Sequence, residues 1–194
     1  MTCPKWPDGS DLEVVRSFEH YYVPGATFRD FFQGAKVPFE CGPKDGPENP
    51  EHRDAVGCHE GQVCSYYQYV EKDGACRIVG VHLKLFSRIT VPRWTTPATS
   101  GSDAEDYALL RSTVDAHEEN HFKIARKFLD ELHRRVWAVP PQPNCPTLTA
   151  RIDEVSKEVA REQRKEQSAF DAAEYKKTFE DYRKAPRPQW TKHL

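Results

Sequence analysis

Two histidines four residues apart, with a glutamate directly after the first, form the strongest chemical signal in this sequence. Residues 117–121 read His-Glu-Glu-Asn-His. On a helix, side chains at positions i and i+4 project from the same side, so His117 and His121 can bind one zinc ion. Zinc lowers the pKa of a water that it binds to about 7, and Glu118 is placed to accept a proton from that water. The pattern is typical of zinc-dependent metallopeptidases, with Glu118 as general base.

The surrounding sequence predicts the helix that this chemistry requires. Apolar side chains and both histidines recur at steps of three and four residues between Tyr107 and Leu132, as in an amphipathic helix. Ser102 or Asp103 can cap its beginning, and a pair of prolines limits its end to about Val136. The alternative is a helix whose two histidines face the core without a metal. That alternative is costly, because two buried imidazoles would need two separate hydrogen-bond partners.

Strand signals precede this helix. A short strand is predicted at His20–Val23, followed by a brief helix capped by Thr27. Two β-rich runs, 62–70 and 76–89, are joined through Asp73-Gly74, a strong hairpin signal because glycine adopts positive φ at little cost. We also expect an edge strand of the sheet, the 76–89 run, to bind an extended peptide substrate by backbone pairing.

A second long helix is predicted after a proline-rich turn, from about Thr147 to before Pro186. Its stripe is mainly apolar but contains glutamates: Leu148, Ile152, Val155, Val159, Glu162, Glu166, Phe170 and Glu174. The whole pattern predicts an α+β fold with a small antiparallel sheet, a long metal-binding helix and a second long C-terminal helix. We expect residues 1–18 to form an N-terminal arm, 19–183 a single metallopeptidase-like domain and 184–194 a C-terminal tail.

Composition argues against two classes of protein and indicates a compartment. Lys plus Arg number 28 against 30 Asp plus Glu, so no basic surplus favours nucleic-acid binding. No apolar run approaches the roughly 18 residues of a membrane-spanning helix, so membrane insertion is not expected. Six cysteines without a Cys-x-x-Cys pair favour disulfides, one of them Cys41–Cys58, in a secreted or periplasmic protein. This chain shows no signal-peptide profile at its beginning.

Several short motifs occur in a fixed order along the chain. They are Tyr21-Tyr22-Val23-Pro24-Gly25, Cys76-Arg77-Ile78, Pro92-Arg93-Trp94, the His-Glu-x-x-His pattern followed by Ile124-Ala125, and Asn144-Cys145-Pro146. In this order, over roughly residues 20–175, the sequence resembles a bacterial family of predicted secreted zinc-dependent proteases, formally a domain of unknown function. The resemblance implies a zincin-like metallopeptidase with a peptide or protein substrate. It also implies His117 and His121 as zinc ligands, Glu118 as base and a Cys76–Cys145 disulfide.

The third zinc ligand is left open by the sequence. In the resembled family the last helix commonly ends in Tyr-Asp-x-x-Thr-x-His-Gly, whose histidine is a natural ligand, but here Lys176 stands at that position. Glu174 is our first candidate, because it lies on the inward stripe near the family position. Asp171 is the retained acid, although it points about 100° away from Phe170. Glu166 is a geometric rival, since antiparallel helices would place residues near 160–166 opposite His121.

Other polar residues and other functions are weaker candidates. Tyr21, Tyr22, Tyr175 or His133 could stabilise an oxyanion, a role that needs a donor about 3 Å from the charge. We interpret His59-Glu60 as structural, because it lies in a predicted loop that contains glycine and cysteine and no second histidine accompanies it at helical spacing. A zinc amidase that acts on cell-wall peptides, a catalytically decayed binding module and an exported effector domain are the alternatives to a peptidase.

Overall fold

The structure is a computed structural model that describes Cys3 and residues 11–38, 56–97 and 100–174. The predicted α+β class, with two long helices late in the chain, is confirmed. In chain order the elements are β1 (Leu12–Val23), α1 (Phe28–Gly34), β2 (Cys58–Lys72), β3 (Ala75–Trp94), α2 (Ser102–Trp137) and α3 (Cys145–Glu174). No helix in the described part of the chain is long and apolar enough to cross a membrane.

The three strands form one sheet in the order β1-β3-β2. The Leu83 amide donates to the Asp11 carbonyl and the Thr95 amide to the Val23 carbonyl, the same offset of 72 residues at both ends, so β1 runs parallel to β3. The predicted antiparallel sheet is therefore wrong for β1, and the sheet is mixed. The long connection through α1 and β2 supplies the crossover that parallel strands need.

Both edges of β3 are paired, with β1 on one side and β2 on the other. The prediction that the 76–89 run is an edge strand available to a peptide substrate is therefore wrong. Alternation of apolar residues in this run indicated a half-buried strand, but alternation describes the two faces of a strand and carries no information about its edges.

The predicted hairpin is confirmed, and its strands are longer than expected. Asp73 and Gly74 both have positive φ, 55° and 72°, which matches the twist of two antiparallel strands joined by a two-residue turn. β2 begins at Cys58 instead of near residue 62, and β3 continues to Trp94. Residues 58–61, which the sequence pattern places in a loop, therefore belong to the sheet.

The first strand also begins earlier than predicted. β1 starts at Leu12 rather than His20, so residues 12–18 are not part of a surface arm. Leu12 and Val14 pack against a buried apolar cluster, and this burial outweighs the turn-forming residues just before them. The predicted short helix is confirmed as α1. Thr27 and Asp30 form a reciprocal capping box at its beginning.

The chain divides into two compact units. The first consists of Met1–Arg16, Gly61–Ser87 and Phe122–Phe170. Its core joins β3 to the facing sides of α2 and α3 through Cys76, Val81, Leu83, Leu85, Ala125, Phe128, Leu129, Leu132, Val136, Leu148, Ile152, Val155 and Val159. In this unit the glutamates of the α3 stripe meet cations of α2: Glu166 accepts from Lys127 at 2.6 Å, and Glu162 pairs with Arg135 at 2.6 Å. The two helices are thus antiparallel.

The second unit consists of Ser17–Glu60, Arg88–His121 and Asp171–Leu194. An aromatic cluster joins three of its elements: the Phe31 ring of α1 lies 5.4 Å from Trp94 of β3 and 5.2 Å from Tyr107 of α2, measured between ring centroids. The Trp94 indole donates to the Gly25 carbonyl at 2.8 Å. This cluster fixes the first part of α2, the helix that carries the histidines.

Two disulfides lie in the first unit. Cys76–Cys145, which the family resemblance implied, is confirmed, and the second joins Cys3 to Cys64. Cys41, the predicted partner of Cys58, lies outside the described residues. Disulfides of this kind fit a protein that folds in an oxidising compartment outside the cytoplasm.

Removing the Cys76–Cys145 disulfide is expected to destabilise the protein strongly. The bridge spans 69 residues, and constraining a loop of that length in the unfolded chain contributes about 4 kcal/mol. Urea unfolding of the double variant Cys76→Ala/Cys145→Ala measures this loss in the free energy of unfolding. The double variant Cys3→Ala/Cys64→Ala is the matched comparison: it opens a loop of 61 residues but leaves the fully buried Cys76 in place. An unchanged unfolding midpoint in the first variant would contradict this role.

Candidate metal centre

The two histidines of α2 are brought together as the sequence predicts. The Nε2 atoms of His117 and His121 lie 3.0 Å apart, and their rings meet nearly edge to face at 4.6 Å between centroids. One helical turn separates them, so one face of α2 presents two imidazole nitrogens to the same point. Their side chains are only 24% and 13% exposed, which removes most of the competition from bulk water.

A carboxylate from the second long helix completes this cluster. The Oδ1 atom of Asp171 lies 2.8 Å from His121 Nε2 and 3.4 Å from His117 Nε2. Asp171 is 13% exposed, and the three residues offer ligand atoms that all lie within 4.8 Å of one another. The cluster of His117, His121 and Asp171 could therefore hold a metal ion, and it lies entirely in the second unit.

The spacing of these three atoms fits a tetrahedral metal site. Zinc–nitrogen and zinc–oxygen bonds of roughly 2.0–2.2 Å at tetrahedral angles place neighbouring ligand atoms roughly 3.3–3.6 Å apart. The separations here are 2.8, 3.0 and 3.4 Å, within about half an ångström of that geometry. Two imidazole nitrogens and one carboxylate oxygen are also a donor set that suits zinc, with one position left for water or substrate. The residues present fit the ion.

Of the three candidates for the third ligand, the structure places Asp171 beside the histidines. Glu166 lies elsewhere, in an ion pair with Lys127 in the first unit. Glu174 is the last residue of α3 and is not a member of the three-residue group found among the described residues. Lys176, which replaces the family histidine, lies outside the described residues.

The register of the two helices explains why residues near 160–166 are not the ligands. A tight turn between the helices would place them opposite His121. The connection is not a tight turn, because Gln142 forms a two-hydrogen-bond bridge with Cys76 before α3 begins. The observed contacts give a different register, in which Glu166 meets Lys127 and Asp171 lies opposite His121.

The charge state of Asp171 suits a metal ligand. Burial by itself would raise the pKa of this carboxyl group, but hydrogen bonds from His117 and His121 outweigh the burial and hold the pKa below its ordinary value. Asp171 is thus an anion at neutral pH. A site with two neutral imidazoles and one carboxylate leaves a bound divalent cation with a net positive charge, which is what Lewis-acid chemistry requires.

Glu118 is buried beside the ligands without being one of them. It is 3% exposed, and this burial raises the pKa of its carboxyl group to about 7, although the nearby His117 and His121 oppose the rise. A carboxyl group with a pKa near neutrality can both accept and return a proton at physiological pH. The Glu118 carboxyl group can therefore exchange a proton near neutral pH.

Backbone packed against Glu118 leaves this carboxylate little room. A Cβ atom on Gly57 would lie 2.5 Å from Glu118 Oε1 and 2.6 Å from Val114 Cγ1, so the absence of a side chain is required there. The Tyr21 hydroxyl donates to the Val56 carbonyl at 2.7 Å and holds this segment in place. Burial is the main cause that raises the pKa of Tyr21. The Tyr21 hydroxyl hydrogen is used in this bond, which ties β1 to the 56–57 segment.

The substitution Gly57→Ala is expected to destabilise the protein by about 1–3 kcal/mol, because the added methyl group overpacks a buried site. Chemical denaturation of wild type and variant measures the difference. Gly74→Asn is the matched control: a Cβ added at Gly74 would meet no atom of the described chain within 4 Å, and asparagine tolerates the positive φ of that position. If Gly57→Ala were as stable as Gly74→Asn, the close packing on Glu118 would be disproved.

The other residues proposed for oxyanion stabilisation lie in different surroundings. The His133 imidazole accepts from the Trp137 indole at 3.0 Å, and Tyr22 is 65% exposed. Tyr175 lies outside the described residues.

One residue near the centre is missed by reasoning from the sequence. The ring of His59, in β2, lies parallel to that of His121, with 6.4 Å between centroids and 7° between planes. The structural interpretation of His59 depends on its assignment to a loop, which is wrong. Alternation along β2 is the signal that could find it: His59 has the same parity as Tyr67 and Tyr69, which pack against the apolar core.

The fold and the cluster define an α+β protein with a candidate metal centre of two histidines and one aspartate. The chain belongs to the family described as Bacterial protein of unknown function (DUF922), whose model matches residues 18–177. The matched range contains the whole candidate centre. No match to the chain was found among curated proteins or among solved structures.

Proposed function

We propose that the protein is a zinc-dependent metallopeptidase that hydrolyses peptide bonds with Glu118 as general base. The observation that carries this proposal is the convergence of His117, His121 and Asp171 within 4.8 Å, directly beside a buried glutamate. Two imidazoles and one carboxylate also suit ferrous iron. The buried glutamate that follows the first histidine favours hydrolysis, because a base is needed to activate water and oxygen chemistry does not require one there.

Each residue has one task in the proposed reaction. His117, His121 and Asp171 hold the zinc ion, which when bound supplies Lewis-acid chemistry toward water and the substrate carbonyl. Glu118 accepts a proton from the attacking water and returns it to the nitrogen of the leaving amine as the peptide bond breaks. The low exposure of the three ligands limits access of bulk water to the centre. The disulfides support action outside the cytoplasm, in a secreted or periplasmic protein.

Hydrolysis of two substrates by the zinc-loaded protein tests this proposal. We expect release of new amino termini from casein, abolished by a chelator and restored by added zinc. Purified peptidoglycan is the second substrate. Release from peptidoglycan alone would instead support an amidase that acts on cell-wall peptides. A zinc-loaded protein that cleaves neither substrate would contradict the proposed peptidase and favour a decayed binding module.

A further inference from the structure

His59 lies beside the centre, between two residues that are anchored to other parts of the chain. Cys58 is 1% exposed and disulfide-bonded, and Glu60 forms an ion pair with Arg88 of β3 in which Arg88 Nε donates at 2.9 Å. Consecutive residues of a strand point to opposite faces, so anchoring Cys58 and Glu60 on one face fixes His59 on the other. Its half-buried ring faces the ring of His121.

His59 is not one of the candidate metal ligands. The group of converging ligand atoms is formed by His117, His121 and Asp171, and His59 does not contribute an atom to it. The ring of His59 therefore lies beside the ring of His121 without supplying an atom to the candidate ligand group.

We propose that His59 is a substrate-contacting residue that donates a hydrogen bond to the carbonyl oxygen of the scissile amide, an inference that rests on the proposed function. An N–H group aimed at that oxygen stabilises the negative charge that develops on it during attack by water. In neutral imidazole one nitrogen carries the hydrogen, so a single histidine supplies this donor without a change in its charge. The rigid strand supplies the preorganisation that makes such a donor effective.

The affinity of the zinc-loaded protein for acetohydroxamate tests the role of His59 without any measurement of hydrolysis. This small anion binds zinc through its oxygens and places an oxygen where the substrate carbonyl would lie. Calorimetric titration of wild type and His59→Phe is expected to show binding weakened by about 10- to 100-fold, the loss typical of one hydrogen bond to a charged oxygen. His59→Gln keeps an N–H donor and is expected to retain more of the affinity than His59→Phe.

Three controls make the outcome decisive. Zinc content and thermal unfolding of each variant are measured first, and both are expected to match wild type. His133→Gln changes a histidine of α2 that contacts Trp137 and should bind acetohydroxamate like wild type. Equal acetohydroxamate affinity in His59→Phe, or loss of zinc from that variant, would overturn the donor role and leave the peptidase proposal standing. A wild type that takes up no zinc would overturn both.

Discussion

Replacing Glu118 with glutamine is expected to reduce kcat for peptide hydrolysis by about 10²- to 10⁴-fold, the contribution of a general base that is placed correctly. Glutamine has nearly the same shape and can occupy the same buried position beside His117, but it cannot accept a proton from water. Zinc content is expected to remain at the wild-type value, because Glu118 is not a member of the ligand group. Initial rates on casein, together with elemental analysis of the same preparation, measure both quantities.

Glu119→Gln is the matched control for this experiment. It makes the same chemical change one residue further along α2, at a position about 100° around the helix from Glu118. We expect its rate to equal that of wild type. If Glu118→Gln also hydrolysed casein at the wild-type rate, Glu118 would have no role as base and the proposed mechanism would be wrong.

The second large effect is expected from Asp171→Ala, which should weaken zinc binding by more than about 100-fold. Residues that only support a ligand typically cost about 10- to 100-fold in affinity when they are changed, and loss of a ligand itself should exceed that. The reason is the 2.8 Å separation of Asp171 Oδ1 from His121 Nε2, which places this carboxylate in the ligand group. Competition with a chromogenic zinc chelator gives the dissociation constants.

Two other acidic residues of α3 serve as comparisons for Asp171. Glu174→Ala and Glu166→Gln are expected to bind zinc as tightly as wild type, because neither residue belongs to the ligand group of the described chain. Glu166→Gln removes only an exposed ion pair with Lys127, whose effect on stability should be small. A large loss of affinity in Glu174→Ala with none in Asp171→Ala would assign the third ligand to Glu174 instead.

The parts of the structure that depend on local periodicity could be predicted from the sequence. The stripe that contains His117 and His121 defined α2 almost to its ends, since the caps and the following prolines are local signals. The Asp73-Gly74 turn identified the hairpin for the same reason. The proximity of the two histidines followed directly from one helical turn.

The parts that depend on long-range arrangement could not be predicted. Whether β1 pairs parallel or antiparallel with β3 is decided by the path of the chain between them, which no periodicity records. Which residue of α3 faces the histidines depends on the register of α3 against α2, and this register is a long-range property that the periodicity of either helix does not record. His59 was missed because the beginning of β2 has weak strand signals, so these residues were assigned to a loop and the alternation of β2 was not extended back to them.

The zinc content of the purified protein tests the central claim most directly. Elemental analysis of wild type after dialysis is expected to give one equivalent of zinc per chain, and the variants His117→Ala and His121→Ala are expected to give none while keeping the wild-type circular dichroism spectrum. Wild-type protein that binds no metal after incubation with zinc, or that retains iron instead, would contradict the centre described above. So would a His117→Ala or His121→Ala variant that keeps its zinc.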